Sequence, residues 1–531
     1  MTVFFRWDIF GRTLLLNTFL VYGLHLGSQN KAVTDNSLES AERAYAKGNY
    51  LMALPVYKAE FKKDSTNKTA RYKLGICYLH TRINHAEALL HLRECSILPG
   101  AEPEVFKYLG RAYMLNNRLD EAIACFQRYA LLKPEAEKEA NHFMLQCKNA
   151  QALMSLPASA SFQNLGKNIN SAEPDYLPLV NKDESILIFS SRRKENVGGK
   201  RVEFDGYRNS DIYYSELKNG KWASARGAGR YLNTELDEQA VGVNADGREI
   251  VVYIDHISSF GDLYLSKRLA GTVEFAKMSA LDKNINSNIE TSACISEDGE
   301  VMFFARHENL QSNSDLYICR KLPTGKWALP QKLPENINTE FNEESPFLSF
   351  DGESLYFSSD CSKSMGGFDL FRSKWNRNTN TFSDPENLGY PVNSTDDELS
   401  ISVTLDNSLA YISAFRPYGS GDLDIYRLRF NDADPVSRVH TGYIFLGDTV
   451  LASQTHDVMT YIIASNVMTG LEYTFVPNSR TGRYVMTLSE GIYRIQVYAE
   501  GYETFEEELV VSDMGRMSIE YNRNILLRKK H

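Results

Sequence analysis

At 531 residues the chain is long enough for several domains with separate cores, and 43% apolar with 24% charged residues excludes wholesale disorder. A formal charge of −10 without a long basic run excludes the footprint that nucleic acid or an anionic membrane surface demands. Proteins are therefore the expected partners. The N-terminus carries Arg6 and Arg12 before an apolar stretch from Leu14 to Leu26, and Leu26-Gly27-Ser28 offers a small-residue cleavage site. Residues 1–28 are expected to be a secretory signal peptide and the product periplasmic, with outer-membrane association only through partners. The alternative, a retained anchor, falls short of the roughly 20 apolar residues that span a bilayer. No cysteine lies near this stretch, so a lipid anchor is not expected, and no later stretch reads as a span. The seven cysteines (Cys77, Cys95, Cys125, Cys147, Cys294, Cys319 and Cys361) show no CxxC and no metal-ligand spacing. An odd number leaves one thiol free or shared between chains, and buried free thiols are the plainer expectation.

Residues 37–155 are rich in Ala, Leu and Tyr at helical spacing. Leu74, Gly75 and Tyr78 recur about 35 residues later as Leu109, Gly110 and Tyr113, which lead on to Ala122, Phe126 and Pro134. The earlier copy leads to Pro99, with Glu87 where alanine is usual, and a weaker copy carries Ala41, Ala53 and Tyr57. Small residues let paired helices approach, aromatics fill the groove, and proline ends the second helix. This pattern resembles the tetratricopeptide (TPR) family, which implies a solenoid of three repeats plus a closing helix from Glu135 to about Met154. Its concave groove would include Lys73, Lys107 and Arg111. They are expected either to meet a carboxylate terminus or acidic segment, or to form a solvated basic face.

After the linker SLPASAS, one unit recurs five times over residues 161–430. Each copy has an acid (Asp175, Glu238, Glu290, Glu343, Glu398), then a turn position (Asp183, Asp246, Asp298, Asp351, Asp406). A second aspartate then opens a strand (Asp211, Asp262, Asp315, Asp369, Asp424). Four copies add an aromatic (Trp222, Phe275, Trp327, Phe382) and a bend at Asn233, Asn286, Asn338 or Asn393. Four short strands per roughly 50 residues is the arithmetic of a propeller blade. The last unit lacks its outer strand, and Ser161–Ser171 matches the outer segment of the third. A five-bladed all-β propeller closed by a strand from the other end is the expected architecture. The pattern resembles the WD40-like PD40 family of TolB-type propellers. The five acids are expected at the channel mouth, where two readings stay open. They form a ring for a cation or a basic group, or each accepts backbone N–H bonds at a blade junction.

Residues 435–531 alternate in YIFLG, TYIIAS, YVMTL, YRIQVYA and EELVVS between turn signals, which predicts a C-terminal β-sandwich, with Pro435 in the linker before it. Tyr484, Gly491, Tyr493, Gly501 and Tyr502 resemble the carboxypeptidase-regulatory-like family. No GxSxG elbow, HExxH, Walker loop or helix-opening GxGxxG occurs, so no catalytic residue, metal or cofactor is expected. The glycine loops SSFGD, SKSMGGFD and YGSGDLD suggest phosphate or calcium binding, or else tight turns capped by aspartate.

The module order is similar to that of the periplasmic PorE-type proteins of Bacteroidota, associated with type IX secretion and gliding. The sequence shows neither their lipid-anchoring cysteine nor their OmpA-like domain, so peptidoglycan binding is not carried over. The expected function is a non-enzymatic envelope scaffold for protein–protein interaction, in secretion, gliding or outer-membrane assembly. The alternative is a propeller that senses a small molecule, glycan or cation at its channel mouth.

Overall fold

The computed structural model describes residues 37–530 except 200–201, 204, 256–260, 270–273, 406, 417–418, 431–437, 448–449, 452–457, 469, 479–480, 489–490 and 512–519. The leader expected at 1–28, Asp406, Pro435 and most of SSFGD lie outside the described residues.

Among the described residues seven α-helices come first: α1 (Leu38–Ala46), α2 (Tyr50–Lys63), α3 (Lys68–His80), α4 (His85–Ser96), α5 (Pro103–Leu115), α6 (Leu119–Leu132) and α7 (Glu137–Ser155). Side-chain oxygens set several of the starts. Asn49 accepts from Met52 N–H at 2.9 Å, Asn67 from Ala70 N–H at 3.0 Å, and Asn84 from Ala86 N–H at 3.0 Å. Consecutive helices pack as antiparallel pairs over one apolar core that includes Leu74, Leu92, Leu109 and Phe126. The repeated glycines set the approach: a Cβ on Gly110 would lie 2.6 Å from the Phe126 ring, and one on Gly75 would lie 2.9 Å from Leu92.

The next region is a β-propeller. Its antiparallel sheets begin with the strands Asp175–Val180, Asp237–Val243, Ile289–Ile295, Glu343–Leu348 and Ile401–Val403, and these first strands touch in cyclic order, the last against the first. One device recurs in every sheet. An asparagine side chain accepts from the N–H and donates to the C=O of one residue on the third strand, at 2.8–3.1 Å. The pairs are Asn233 with Ile212, Asn286 with Leu263, Asn338 with Leu316 and Asn393 with Leu370. In the last sheet Ile425 is held by Asn170, from the other end of the region. The strand Ala160–Asn164 runs antiparallel to Asp424–Phe430, from Ala160↔Phe430 to Asn164↔Tyr426, so the last sheet has its outer strand.

The C-terminal region packs two sheets over a core of Ile444, Leu446, Ile462, Tyr484, Met486, Tyr493, Ile495 and Ile525. One of these sheets is continuous with the last propeller sheet through a single pair, Phe162↔Glu472. Among the described residues no helix is long and apolar enough to cross a membrane. None of the seven cysteines forms a disulfide.

Candidate functional site

Asp175, Glu238, Glu290, Glu343 and Glu398 are all fully buried. Each carboxylate turns back on its own junction turn, where a Ser or Thr follows the recurring asparagine. Asp175 accepts from Ser171 N–H at 2.6 Å and its hydroxyl at 2.8 Å. Glu238 accepts from Thr234 N–H at 3.1 Å and from its hydroxyl, and Glu290 from Asn288 N–H at 3.1 Å. Glu343 accepts from Thr339 N–H at 3.0 Å and its hydroxyl at 2.7 Å, and Glu398 likewise from Ser394 at 2.8 and 2.7 Å. This geometry is that of the blade-junction reading rather than of carboxylates open to a channel mouth.

Three of the acids also meet an arginine: Arg193 on Asp175 at 2.9 Å, Arg306 on Glu290 at 2.7 Å and Arg416 on Glu398 at 3.2 Å. Glu238 and Glu343 are held by hydroxyl and amide donors instead, and burial pushes both carboxyls up to about 7. An unfolded glutamate titrates near 4.5. Between these values the folded state keeps a proton that the unfolded chain has lost, so each group's contribution to stability falls as pH rises from about 4.5 to about 7. The loss is on the order of 3 kcal/mol per group. Glu343→Gln carries no titrating proton. Urea midpoints at pH 5 and pH 8 are expected to differ less in this variant than in the native chain, and an unchanged difference would refute the shift.

In the helical region Lys73 pairs with Glu42 and lies 5.3 Å over the Tyr45 ring. Lys107 is buried, paired with Glu139, and Arg111 is half-buried nearby on α5. Lys73 and Lys107 are therefore paired with carboxylates of neighbouring helices in the same region. The glycine loop at 362–369 closes on its own aspartate. Met365 N–H and Gly366 N–H donate to Asp369 at 2.7 and 3.3 Å, and the Met365 side chain is buried in the core of the helical region. Among the described residues no group of three or more His, Cys, Asp or Glu is gathered as for a metal ion.

The residues that the sequence reading missed lie where the three regions meet. Arg82, in the α3–α4 turn at φ 49°, sends its guanidinium onto the propeller. It lies 3.2 Å from Asp396, 3.2 Å from Asp397 and 3.9 Å from Asp422. Burial opposes the Asp396 charge, but Arg82 and His85 hold its carboxyl below the usual range. Asp422, which accepts from the Tyr207 hydroxyl, is instead raised because burial outweighs Arg82. Asn149 donates to the Ser362 and Ser364 carbonyls at 2.8 and 2.9 Å, and His142 stacks on Phe341 at 4.8 Å.

Beside this clamp opens a cavity of about 1280 Å³ walled by all three regions. Ile83, His85 and Leu90 come from the helices, Phe162, Tyr207, Tyr390 and Phe415 from the propeller, and Tyr461, Thr474, Val476 and Tyr498 from the C-terminal sheets. Its wall is more apolar than polar; the charges of Arg82, Arg192 and Arg416 meet Asp396, Asp205 and Glu398, and Glu87, Lys194, Arg208 and Glu500 also stand on the wall. Such a surface suits an apolar segment with few charges.

No family model and no curated protein matches the chain. Among solved structures it is similar to TolB from Acinetobacter baumannii, at 11% identity and a TM-score of 0.27, over 66% of this chain and 70% of that one. It is also similar to an endo-arabinase from Bacteroides thetaiotaomicron, at 13% and 0.34, over 50% and 96%. A protein described as a glycoside hydrolase aligns at 11% and 0.35, over 53% and 94%. Similarity of this degree attaches no activity to the chain.

Proposed function

We propose that the chain is an exported, non-enzymatic scaffold that docks a protein partner in the cleft between its regions. In this reading α1–α7 are a TPR-type solenoid, the central sheets a five-bladed PD40-type propeller, and the C-terminal sheets a carboxypeptidase-regulatory-like sandwich. The observation that carries it is the shared cavity, which no region forms alone. Further support comes from the way the regions are fastened, by the Arg82 clamp, by Met365 in the helical core and by the Phe162↔Glu472 pair. The recurring acids, which would serve a cation- or glycan-sensing ring, are committed to their own turns. The module order supports a place in the type IX secretion or gliding machinery of the envelope.

The test is quantitative capture from envelope extract. Ile83 is 57% exposed on the cleft wall, so Ile83→Glu should leave the fold intact and put a charge where an apolar segment binds. A protein held by the native chain and lost by at least tenfold on Ile83→Glu is expected. Equal capture by both, or no captured protein, refutes the docking cleft.

A further inference from the structure

The C-terminal sheet has an opening where it meets the propeller. In the strand Glu472–Phe475 the hydrogen bonds alternate in direction. Asn466 N–H donates to the Leu471 carbonyl at 2.7 Å, which makes that residue pair a bonded pair of the hairpin. Counting along the register, Tyr473 and Phe475 bond to their partners Ala464 and Ile462. The N–H and C=O of Glu472 and Thr474 then face the other way. Glu472 is met there by Phe162 of the strand Ala160–Asn164, and the ladder between these strands stops at that pair.

The strands part directly into the cavity. Thr474, Val476, Pro477 and Asn478 line it along one side, and Phe162, Tyr390 and Phe415 stand on its walls. The Thr474 hydroxyl is buried and, among the described residues, has no hydrogen-bond partner. An edge that presents backbone donors and acceptors to an apolar slot is a template for another strand.

We propose that the open edge at Thr474 takes up an extended segment of a partner protein by strand addition, its alternate side chains apolar and set against the aromatic wall. The added strand continues the pairing that Phe162 and Glu472 begin, so the segment bridges the propeller and C-terminal sheets. This rests on the cleft being a protein-docking site and adds how the segment is held and what its sequence pattern is. Main-chain bonds give the grip, and period-2 spacing of apolar residues gives the selectivity.

The test uses a random decapeptide display library panned on the intact chain, with selected peptides measured by fluorescence anisotropy. Thr474→Pro removes one outward N–H that has no ladder partner among the described residues, a place where a sheet edge tolerates proline. Selected peptides should alternate apolar residues and bind Thr474→Pro at least tenfold more weakly. They should also slow amide exchange at Thr474 in the native chain, a readout that stands even if the proline variant folds poorly. Peptides that are lost on Ile83→Glu yet bind Thr474→Pro normally and leave Thr474 exchange unchanged would overturn strand addition while keeping the cleft. No peptide enriched over bare resin would overturn both. Self-association of the chain that Thr474→Pro abolishes would assign the edge to a second copy and overturn the partner assignment.

Discussion

Glu290→Ala is expected to destabilise the propeller by about 3–5 kcal/mol, because it strands a buried cation. Arg306 is 8% exposed at its side chain and lies between the Phe304 and Tyr317 rings, at 5.0 and 4.9 Å. Without Glu290 its guanidinium keeps only the Asn284 and Ile285 carbonyls, at 3.0 and 2.9 Å. The turn at Asn288 loses its acceptor as well. In a domain of this size a loss of that order lowers the melting temperature by roughly 10 °C, readable by circular dichroism at 218 nm or by calorimetry. An acid kept for a ligand would behave oppositely, with unchanged melting and a lost ligand.

The second large effect is expected at Arg82. Arg82→Glu sets a carboxylate against Asp396, Asp397 and Asp422, whose side chains are 10–15% exposed. Like charges at this depth have no favourable arrangement other than protonation or separation. The helical region is therefore expected to release from the propeller while each keeps its own core. Calorimetry should resolve one more transition in the variant than in the native chain, and protease should cut between α7 and the strand Ala160–Asn164. Restoring the cation with Arg82→Lys should recover part of the coupling, since lysine lacks the fork that reaches both Asp396 and Asp397. The same transitions, unshifted, in Arg82→Glu would show that the clamp contributes nothing.

The sequence makes the propeller legible because a blade is a local unit, and its marks recur at a fixed spacing. The Asn-Ser and Asn-Thr pairs at 170–171, 233–234, 286–287, 338–339 and 393–394 are equally local. The asparagine stands out in four of these, but the hydroxyls of Ser171, Thr234, Thr339 and Ser394, and the backbone N–H groups at 287–288, become the acids' partners only when the turn folds. That is why one carboxylate per blade looked available for a ring. The helical region is legible through its small residues, since Gly75 and Gly110 mark where paired helices touch. The carboxylates that meet Lys73 and Lys107 were not legible, because Glu42 and Glu139 sit on other helices 31 and 32 positions away. The cleft has no local mark at all. Arg82 meets Asp396 across 314 positions, and Phe162 meets Glu472 from the far side of the propeller through a single pair. A lone arginine in a helical turn and a lone methionine in a glycine loop carry no period, so pattern reading passes over them.

The measurement that bears most directly on the whole account is capture by three forms of the chain side by side: native, Ile83→Glu and Glu343→Gln. The account places binding in the cleft and folding in the recurring acids. It therefore predicts that the captured protein is retained by Glu343→Gln and lost on Ile83→Glu. Retention by Ile83→Glu with loss on Glu343→Gln, at unchanged melting temperature for both, would contradict it and return the function to the channel mouth.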